Sequence, residues 1–214
     1  MGKLFTGFTK VTAYPIELMV FRTKFLYEDK SVQSRKIKGP AIIVSNHTSV
    51  YDFAQMMQAF FGRHLHCLMA DILYRKKMMS WFLNQLDGIK ISREGKNFSF
   101  IEKSVDILKK GGVIEIYPES RIPEPKEETP LEFKPSAAYI AILSGAPIIP
   151  VYTDGNYFGK GRAHVMIGKP IIPSEIIDPS LEMNKNIEIL TNHIRNKVIA
   201  LRDETNNQKE QKKV

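Results

Sequence analysis

Cysteine is almost missing from this sequence of 214 residues, and its scarcity narrows the classes of protein that the chain can belong to. The single cysteine, Cys67, has no partner for a disulfide within the chain. A zinc site built from several cysteines is excluded for the same reason, and the composition suits a reducing compartment. Cys67 lies in an apolar run, where we expect a buried and unreactive thiol.

Long apolar runs are missing as well. The first 30 residues are the most apolar and aromatic part of the chain, but charged residues and Pro15 interrupt them well short of the ~18 apolar residues of a membrane span. A secretory signal peptide is also not indicated. We predict amphipathic helices, split near Pro15, in a segment of residues 1–30 suited to a membrane interface. The alternative is two ordinary helices packed on the domain.

Several motifs of hydrolytic chemistry are absent. The sequence has no glycine-rich P-loop and no His-Glu-x-x-His pattern. His64 and His66 alternate on a predicted strand without an evident carboxylate cluster, so we predict surface or packed residues and no metal site. The net charge of +8 favours phosphate-bearing partners. Because the basic residues are scattered without interleaved aromatics, we predict no nucleic-acid partner.

Apolar strand patterns and helix patterns alternate from residue 41 onward. A final amphipathic helix carries Ile187, Leu190 and Ile194 at helical spacing, and four prolines in residues 118–133 predict a long loop. This order predicts an α/β fold with a single domain, in which helices flank a mostly parallel central sheet. We place the domain at residues 31–205, after the N-terminal amphipathic helices, and expect a frayed tail at residues 206–214.

The stretch AIIVSNHTSVYD, residues 41–52, places a histidine and an aspartate just past a predicted buried strand. Active sites of open α/β sheets lie at this edge. A carboxylate from Asp52 on one ring nitrogen of His47 would make the other nitrogen a better base. The alternative is a Ser-x-x-Asp capping box, in which Ser49 caps the next helix and Asp52 binds backbone N–H groups.

Two further strand ends carry charged residues. IKISR ends in Arg93, and VIEIYPESR continues into Glu119 and Arg121. If these strands are parallel neighbours, the three side chains converge with His47 on one edge. Two guanidinium groups beside a histidine base would form a phosphate clamp, because Arg binds phosphate bidentately. The alternative for each arginine is a surface salt bridge.

These pieces together resemble the glycerolipid acyltransferases, above all the 1-acyl-glycerol-3-phosphate (lysophosphatidate) acyltransferases. NHTSVYD resembles the family's Asn-His-x-x-x-x-Asp motif, and GIKISR and YPESR resemble its second and third blocks. FKPSAAYIAILSGAPIIPVY resembles the helix and strand that follow. The likeness covers roughly residues 38–153. Ser120 replaces a usual glycine in a third block one residue short, and Ser136 replaces another glycine.

The resemblance implies a reaction in which His47 takes a proton from an acceptor hydroxyl and Asp52 orients the imidazole. The hydroxyl would attack an acyl thioester directly. The resemblance places Arg93, Glu119, Ser120 and Arg121 around the acceptor phosphate, most simply that of 1-acyl-sn-glycerol 3-phosphate. It implies no metal and no cofactor beyond the thioester co-substrate, acyl-CoA or acyl carrier protein. It also implies peripheral or monotopic attachment to anionic lipids on the cytoplasmic face of the cell membrane.

Two alternatives stay open at this point. The chain could acylate another acceptor, such as glycerol 3-phosphate or a lyso-aminolipid. It could also be a non-catalytic lipid-binding module on the same fold.

Overall fold

The computed structural model describes residues 2–91, 98–158 and 161–211. The helices are α1 (Gly2–Phe21), α2 (Asp52–Ala59), α3 (Lys77–Gln85), α4 (Ser99–Lys109), α5 (Ser136–Ser144), α6 (Pro173–Ile176) and α7 (Met183–Glu210). The strands are β1 (Lys24–Tyr27), β2 (Ala41–Ser45), β3 (Leu65–Ala70), β4 (Ile89–Ile91), β5 (Val113–Ile116), β6 (Ile148–Thr153) and β7 (His164–Ile167). A short 3-10 helix spans Asp71–Tyr74.

The strands form one sheet in the order β1-β7-β6-β2-β5-β3-β4. The central strand β2 pairs in parallel with both β5 and β6, and β3 and β4 continue the parallel arrangement beyond β5. The pair β6 and β7 is antiparallel. The predicted α/β fold with a mostly parallel sheet is therefore confirmed. Because β2, β5 and β6 run in the same direction, the loops that follow them meet at one edge.

Successive residues of β2 pack into opposite helical layers. Ile42 and Val44 pack with residues of α4, α5 and α7, whereas Ala41 and Ile43 pack with residues of α2. This alternation is the ordinary period of a strand, in which side chains point to the two faces in turn. All five residues of β2 are buried because both faces are covered. A continuous apolar run is the pattern expected of such a strand.

The N-terminal segment differs from the prediction in two ways. Pro15 lies inside one continuous helix, α1, and does not split it. Aromatic side chains near both ends of α1 pack on the domain. The ring centroids of Phe5 and Trp81 are 5.5 Å apart, and those of Phe21 and Tyr157 are 4.9 Å apart. In addition, residues 24–27 form β1 and pair with β7, so they belong to the sheet and not to a separate membrane segment.

The chain's later elements follow the predicted order. Helix α5 ends at Gly145, whose positive φ of 68° matches the left-handed cap expected there. The last helix, α7, buries Ile187, Leu190 and Ile194 as predicted. It continues to Glu210, past residue 205 where we placed the end of the domain, and Lys209 donates a hydrogen bond to Asp154 at 2.5 Å. Residues 212–214 lie outside the described part of the chain.

Candidate active site

The loop that follows β2 is fixed to the neighbouring strand β6 by a buried asparagine. Asn46 donates from its amide nitrogen to the carbonyl oxygen of Thr153 at 2.9 Å. Its amide oxygen accepts from the Thr153 backbone N–H at 2.8 Å. This pair of hydrogen bonds defines the point at which the chain leaves the sheet, and His47 is the next residue.

His47 and Asp52 form a direct pair at this edge. The Nδ1 atom of His47 lies 2.7 Å from Oδ2 of Asp52. A carboxylate only accepts hydrogen bonds, so Nδ1 is the donor of this bond, and in a neutral imidazole the lone pair would then be on Nε2. The Asp52 side chain is completely buried, whereas the His47 side chain is 23% exposed. The pair therefore keeps the carboxylate inside the protein while the imidazole is partly open to solvent.

The Asp52 carboxylate also organises the loop around it. Its Oδ2 atom accepts the backbone N–H groups of Thr48 and Ser49 at 2.6 and 2.9 Å. The bond to Ser49 is one half of the predicted capping box. The other half is replaced, because the N–H of Asp52 donates to the backbone oxygen of Ser49 and the Ser49 hydroxyl accepts from Tyr51. Helix α2 begins at Asp52 with Tyr51 at its N-cap, so the prediction that Ser49 caps this helix is wrong. The Asp52 carboxylate instead binds the two loop N–H groups in addition to His47.

Tyr157 is a second buried partner of Asp52. Its hydroxyl donates to Oδ1 of Asp52, which also accepts from the Thr48 hydroxyl at 2.8 Å. Burial, and then the neighbouring Asp52 charge, raise the pKa of Tyr157 far above its usual range, so the phenol stays protonated as a donor. Tyr157 was not predicted as a site residue. It lies 105 residues from Asp52 in sequence, and no local pattern links the two.

Gly155 lets the Tyr157 loop approach the catalytic loop. A Cβ atom at this position would lie 2.6 Å from the Thr48 hydroxyl oxygen, which is too close for any side chain. Its φ of +67° is also one that glycine adopts without strain. Glycine at residue 155 thus lets Thr48 and Tyr157 reach the same carboxylate.

A stacked aromatic ring sets the plane of the His47 imidazole. The ring of Tyr117 lies 4.6 Å from the imidazole, centroid to centroid, with 26° between the planes. The Tyr117 hydroxyl donates to the buried carboxylate of Glu115. Burial, and then the Glu115 charge, raise the pKa of Tyr117 well above its usual range. Tyr117 stacks on one face of the imidazole while Asp52 holds its Nδ1 edge, and this leaves little freedom of rotation.

Glu119 joins the predicted site through the backbone of His47. One carboxylate oxygen accepts from the His47 N–H and the other from the Leu131 N–H, each at 2.8 Å. Burial raises the pKa of Glu119, although both hydrogen bonds act in the opposite direction. The predicted meeting of His47 and Glu119 is present. The Glu119 carboxylate connects the His47 loop with the long loop of residues 117–135.

Of the two arginines in the predicted phosphate clamp, the described part of the chain includes Arg121 and not Arg93. Arg121 makes two hydrogen bonds of 2.6 Å to the Glu127 carboxylate and is 49% exposed, so its guanidinium is held on the surface by an ion pair. These bonds lower the pKa of Glu127 to about 2. Arg93 lies outside the described residues. Ser120, which replaces the usual glycine, is exposed and has a left-handed φ of 62°, which explains why glycine is common there.

A group of possible metal ligands lies elsewhere in the fold. His64, His66 and Asp87 offer ligand atoms within 4.8 Å of one another, which corrects the expectation that the two histidines lack a carboxylate partner. Asp87 was missed because it follows His66 by 21 residues and reaches it only through strand pairing.

Comparisons with known proteins agree with this geometry. The family model described as Acyltransferase matches residues 24–154, more than half of the chain, from the start of β1 to just past β6. A 1-acyl-sn-glycerol-3-phosphate acyltransferase of Bacillus subtilis (strain 168) is 25% identical over 135 residues, which is 61% of this chain and 66% of that protein. The 1-acyl-sn-glycerol-3-phosphate acyltransferase alpha of Bos taurus is 23% identical over 201 residues, covering 87% of this chain and 67% of the bovine protein.

A solved structure shares the fold. The crystal structure of the 1-acyl-sn-glycerophosphate (LPA) acyltransferase PlsC from Thermotoga maritima superimposes with a TM-score of 0.65 at 20% sequence identity. The alignment covers 95% of this chain and 79% of that one.

Proposed function

Because the chain belongs to the acyltransferase family, we propose that it moves a fatty acyl chain from an acyl thioester to the free hydroxyl of a lysophospholipid. The acceptor is 1-acyl-sn-glycerol 3-phosphate, and the product is phosphatidic acid. The observation that carries this proposal is the His47–Asp52 pair at the carboxyl edge of β2, with Nδ1 bound to a buried carboxylate and the other ring nitrogen available.

The proposed acyl transfer depends on the Nε2 atom of His47. Nε2 of His47 removes the proton from the acceptor hydroxyl as its oxygen attacks the thioester carbonyl carbon. The tetrahedral intermediate then expels the thiolate, which takes the proton back from the imidazolium. Asp52 stabilises the imidazolium between these steps. The Thr48 hydroxyl donates to Asp52, and the Ser49 hydroxyl accepts from the Tyr51 N–H. Because both hydroxyls near His47 are engaged within the loop, the geometry supports direct transfer to the acceptor without an acyl-enzyme.

We assign recognition of the acceptor phosphate to Arg93, which follows the last residue of β4 by two positions in the sequence. Arg121 contributes only if a phosphate displaces Glu127 from its guanidinium. We therefore expect the preference for a phosphate-bearing acceptor to depend more on Arg93 than on Arg121.

An acyl-transfer assay tests the proposal directly. Lysophosphatidic acid should be acylated with a kcat/KM roughly 10- to 150-fold above that of 1-monoacylglycerol, which keeps the hydroxyl but lacks the phosphate. Arg93→Ala should remove this preference, and Arg121→Ala should largely keep it. Acyl-CoA and acyl carrier protein thioesters are supplied in parallel to identify the donor. Activity should survive a chelator, because we propose no catalytic metal or other cofactor.

The assay also separates the two alternatives. Faster acylation of glycerol 3-phosphate or a lyso-aminolipid would replace the acceptor proposed here. Lipid binding without transfer from either donor would contradict the enzyme proposal and favour the non-catalytic module.

We further propose that the protein binds the cytoplasmic face of the cell membrane through α1. Leu4, Phe8, Val11 and Met19 are all at least 65% exposed. They lie on one stripe at helical spacing, while Phe5 and Phe21 on other faces pack on the domain. Within residues 2–91, 98–158 and 161–211, no helix is long and apolar enough to cross a bilayer. The exposed stripe suits a helix that lies in the interface.

Changing the stripe should weaken membrane binding without unfolding the domain. Phe8→Ser combined with Met19→Ser should lower partitioning onto mixed phosphatidylglycerol and phosphatidylcholine vesicles about tenfold or more, because each large apolar side chain contributes roughly 1.5–3 kcal/mol when fully buried. Vesicle co-sedimentation measures the effect. Deleting residues 1–30 is a poorer test, since it also removes strand β1.

The control uses Leu181→Ser with Met183→Ser, two large apolar side chains that are 42% and 45% exposed and lie just before and at the start of α7, away from the stripe. The control should sediment with vesicles as the unchanged protein does. Equal binding by the α1 variant and the unchanged protein would contradict attachment through α1.

A further inference from the structure

A cluster of two histidines and an aspartate lies at the edge of the sheet opposite to His47. His64 and His66 are at the start of β3, and Asp87 stands two residues before β4. The Nε2 atom of His64 lies 2.9 Å from Oδ2 of Asp87. The Nδ1 atom of His66 lies 3.2 Å from the backbone oxygen of the same aspartate. All three residues are half-buried, so the cluster is held in place yet open to solvent.

Strand pairing explains why residues distant in sequence meet here. In the parallel pair of β3 and β4, Leu68 lies beside Ile89. Two residues earlier on each strand, the same register brings His66 beside Asp87. Alternate residues of an extended segment project to the same side, and the His64 and His66 rings are accordingly 4.6 Å apart.

The backbone at Asp87 is left-handed, a conformation that aspartate adopts more often than most residues other than glycine. Its φ is +55°, in the left-handed region that follows the end of α3. Glycine adopts this conformation readily at a helix end, whereas most residues with a Cβ rarely do. Asp87 therefore follows the end of α3 and also places its carboxylate against the His64 imidazole.

We propose that His64, His66 and Asp87 bind a divalent transition-metal ion, for which zinc is the best match. Two imidazole nitrogens and one carboxylate oxygen are ligands that zinc prefers. Ligand atoms about 2 Å from a zinc ion lie about 3.3 Å from one another in a tetrahedron. The three residues already offer atoms within 4.8 Å of one another, so small side-chain rotations complete three positions and solvent supplies the fourth.

The ion would connect the edge strand β4 to its neighbour β3. Strand β4 has three residues and lies at the end of the sheet, so its pairing depends on few backbone hydrogen bonds. Because the cluster is at the opposite edge from His47, the metal stabilises the fold and takes no part in acyl transfer. Its presence is independent of the reaction proposed above.

Calorimetric titration of the full chain, without a histidine tag and after treatment with a chelator, tests the site with zinc chloride. We expect one zinc ion per chain and a higher melting temperature in its presence. His64→Gln, His66→Gln and Asp87→Gly should each weaken binding by at least 10- to 100-fold, the range measured even for residues that only support a ligand. Cobalt substitution should give the absorption bands of a tetrahedral site, which the three variants lose.

Asp87→Gly is the sharpest variant, because glycine suits the left-handed backbone and should leave the metal-free protein at least as stable. His193→Gln is the control, since His193 is exposed on α7 and should bind zinc as the unchanged protein does. Zinc binding that survives both Asp87→Gly and His66→Gln would overturn the proposal. So would binding that disappears with His47→Ala, because the ion would then be at the active site.

Discussion

Replacing His47 with alanine should lower kcat by at least a hundredfold and leave a folded protein. We propose the imidazole as the general base, and general-base catalysis contributes roughly 10²–10⁴-fold. The fold should tolerate the change, because Asp52 keeps the two loop N–H groups and the hydroxyls of Thr48 and Tyr157 as donors. Steady-state rates and thermal melts on the same preparation measure both effects.

His193→Ala serves as the control for the loss of an imidazole, since this residue is exposed on α7. It should match the unchanged protein in both rate and melting temperature. Normal turnover by His47→Ala would mean that another group accepts the proton, and the mechanism proposed here would be wrong.

Replacing Asp52 with asparagine should also lower kcat by at least a hundredfold, for a different reason. An amide can keep its oxygen toward His47 and the two loop N–H groups. Its nitrogen then faces the hydroxyls of Thr48 and Tyr157, which can turn to accept instead of donate. The hydrogen-bonded loop therefore survives, but the negative charge that stabilises the imidazolium is lost. We expect the unfolding free energy to fall by about 1–3 kcal/mol.

The double variant of His47 and Asp52 distinguishes an orienting role from a purely structural one. If the two residues act as one unit, the loss of kcat in the double variant should be close to that of His47→Ala alone. A destabilised Asp52→Asn protein with near-normal kcat would show that Asp52 serves only to hold the loop.

Much of the fold could be predicted because its strands are covered by helices on both faces. Such strands form continuous apolar runs, and β2, β5 and β6 are visible in the sequence for this reason. Strand β1 has four residues and lies at the sheet edge beside β7, so its pattern is too short to separate it from the preceding helix. Pro15 predicted a break that packing against α2 and α3 overrides.

The candidate site was predictable where its residues are local in sequence. His47 and Asp52 are five residues apart and follow a recognisable strand, so their pairing was expected. Glu119 was expected from the end of β5. Tyr157 and the pair of His66 and Asp87 depend on contacts between distant segments, which periodicity does not reveal. Arg121 was misplaced because the competing carboxylate, Glu127, lies in a loop without regular geometry.

The hydrogen bonds of Asn46 and Asp52 to the end of β6 also bear on the moment when the site forms during synthesis. His47 and Asp52 have both been synthesised by residue 52, but their loop is fixed by Thr153 and Tyr157, more than 100 residues later. Domains form as the chain leaves the ribosome, from the N-terminus onward. A nascent chain that has not yet exposed residues 148–157 therefore lacks these contacts. We expect the His47–Asp52 pair to become ordered only after most of the sheet has formed.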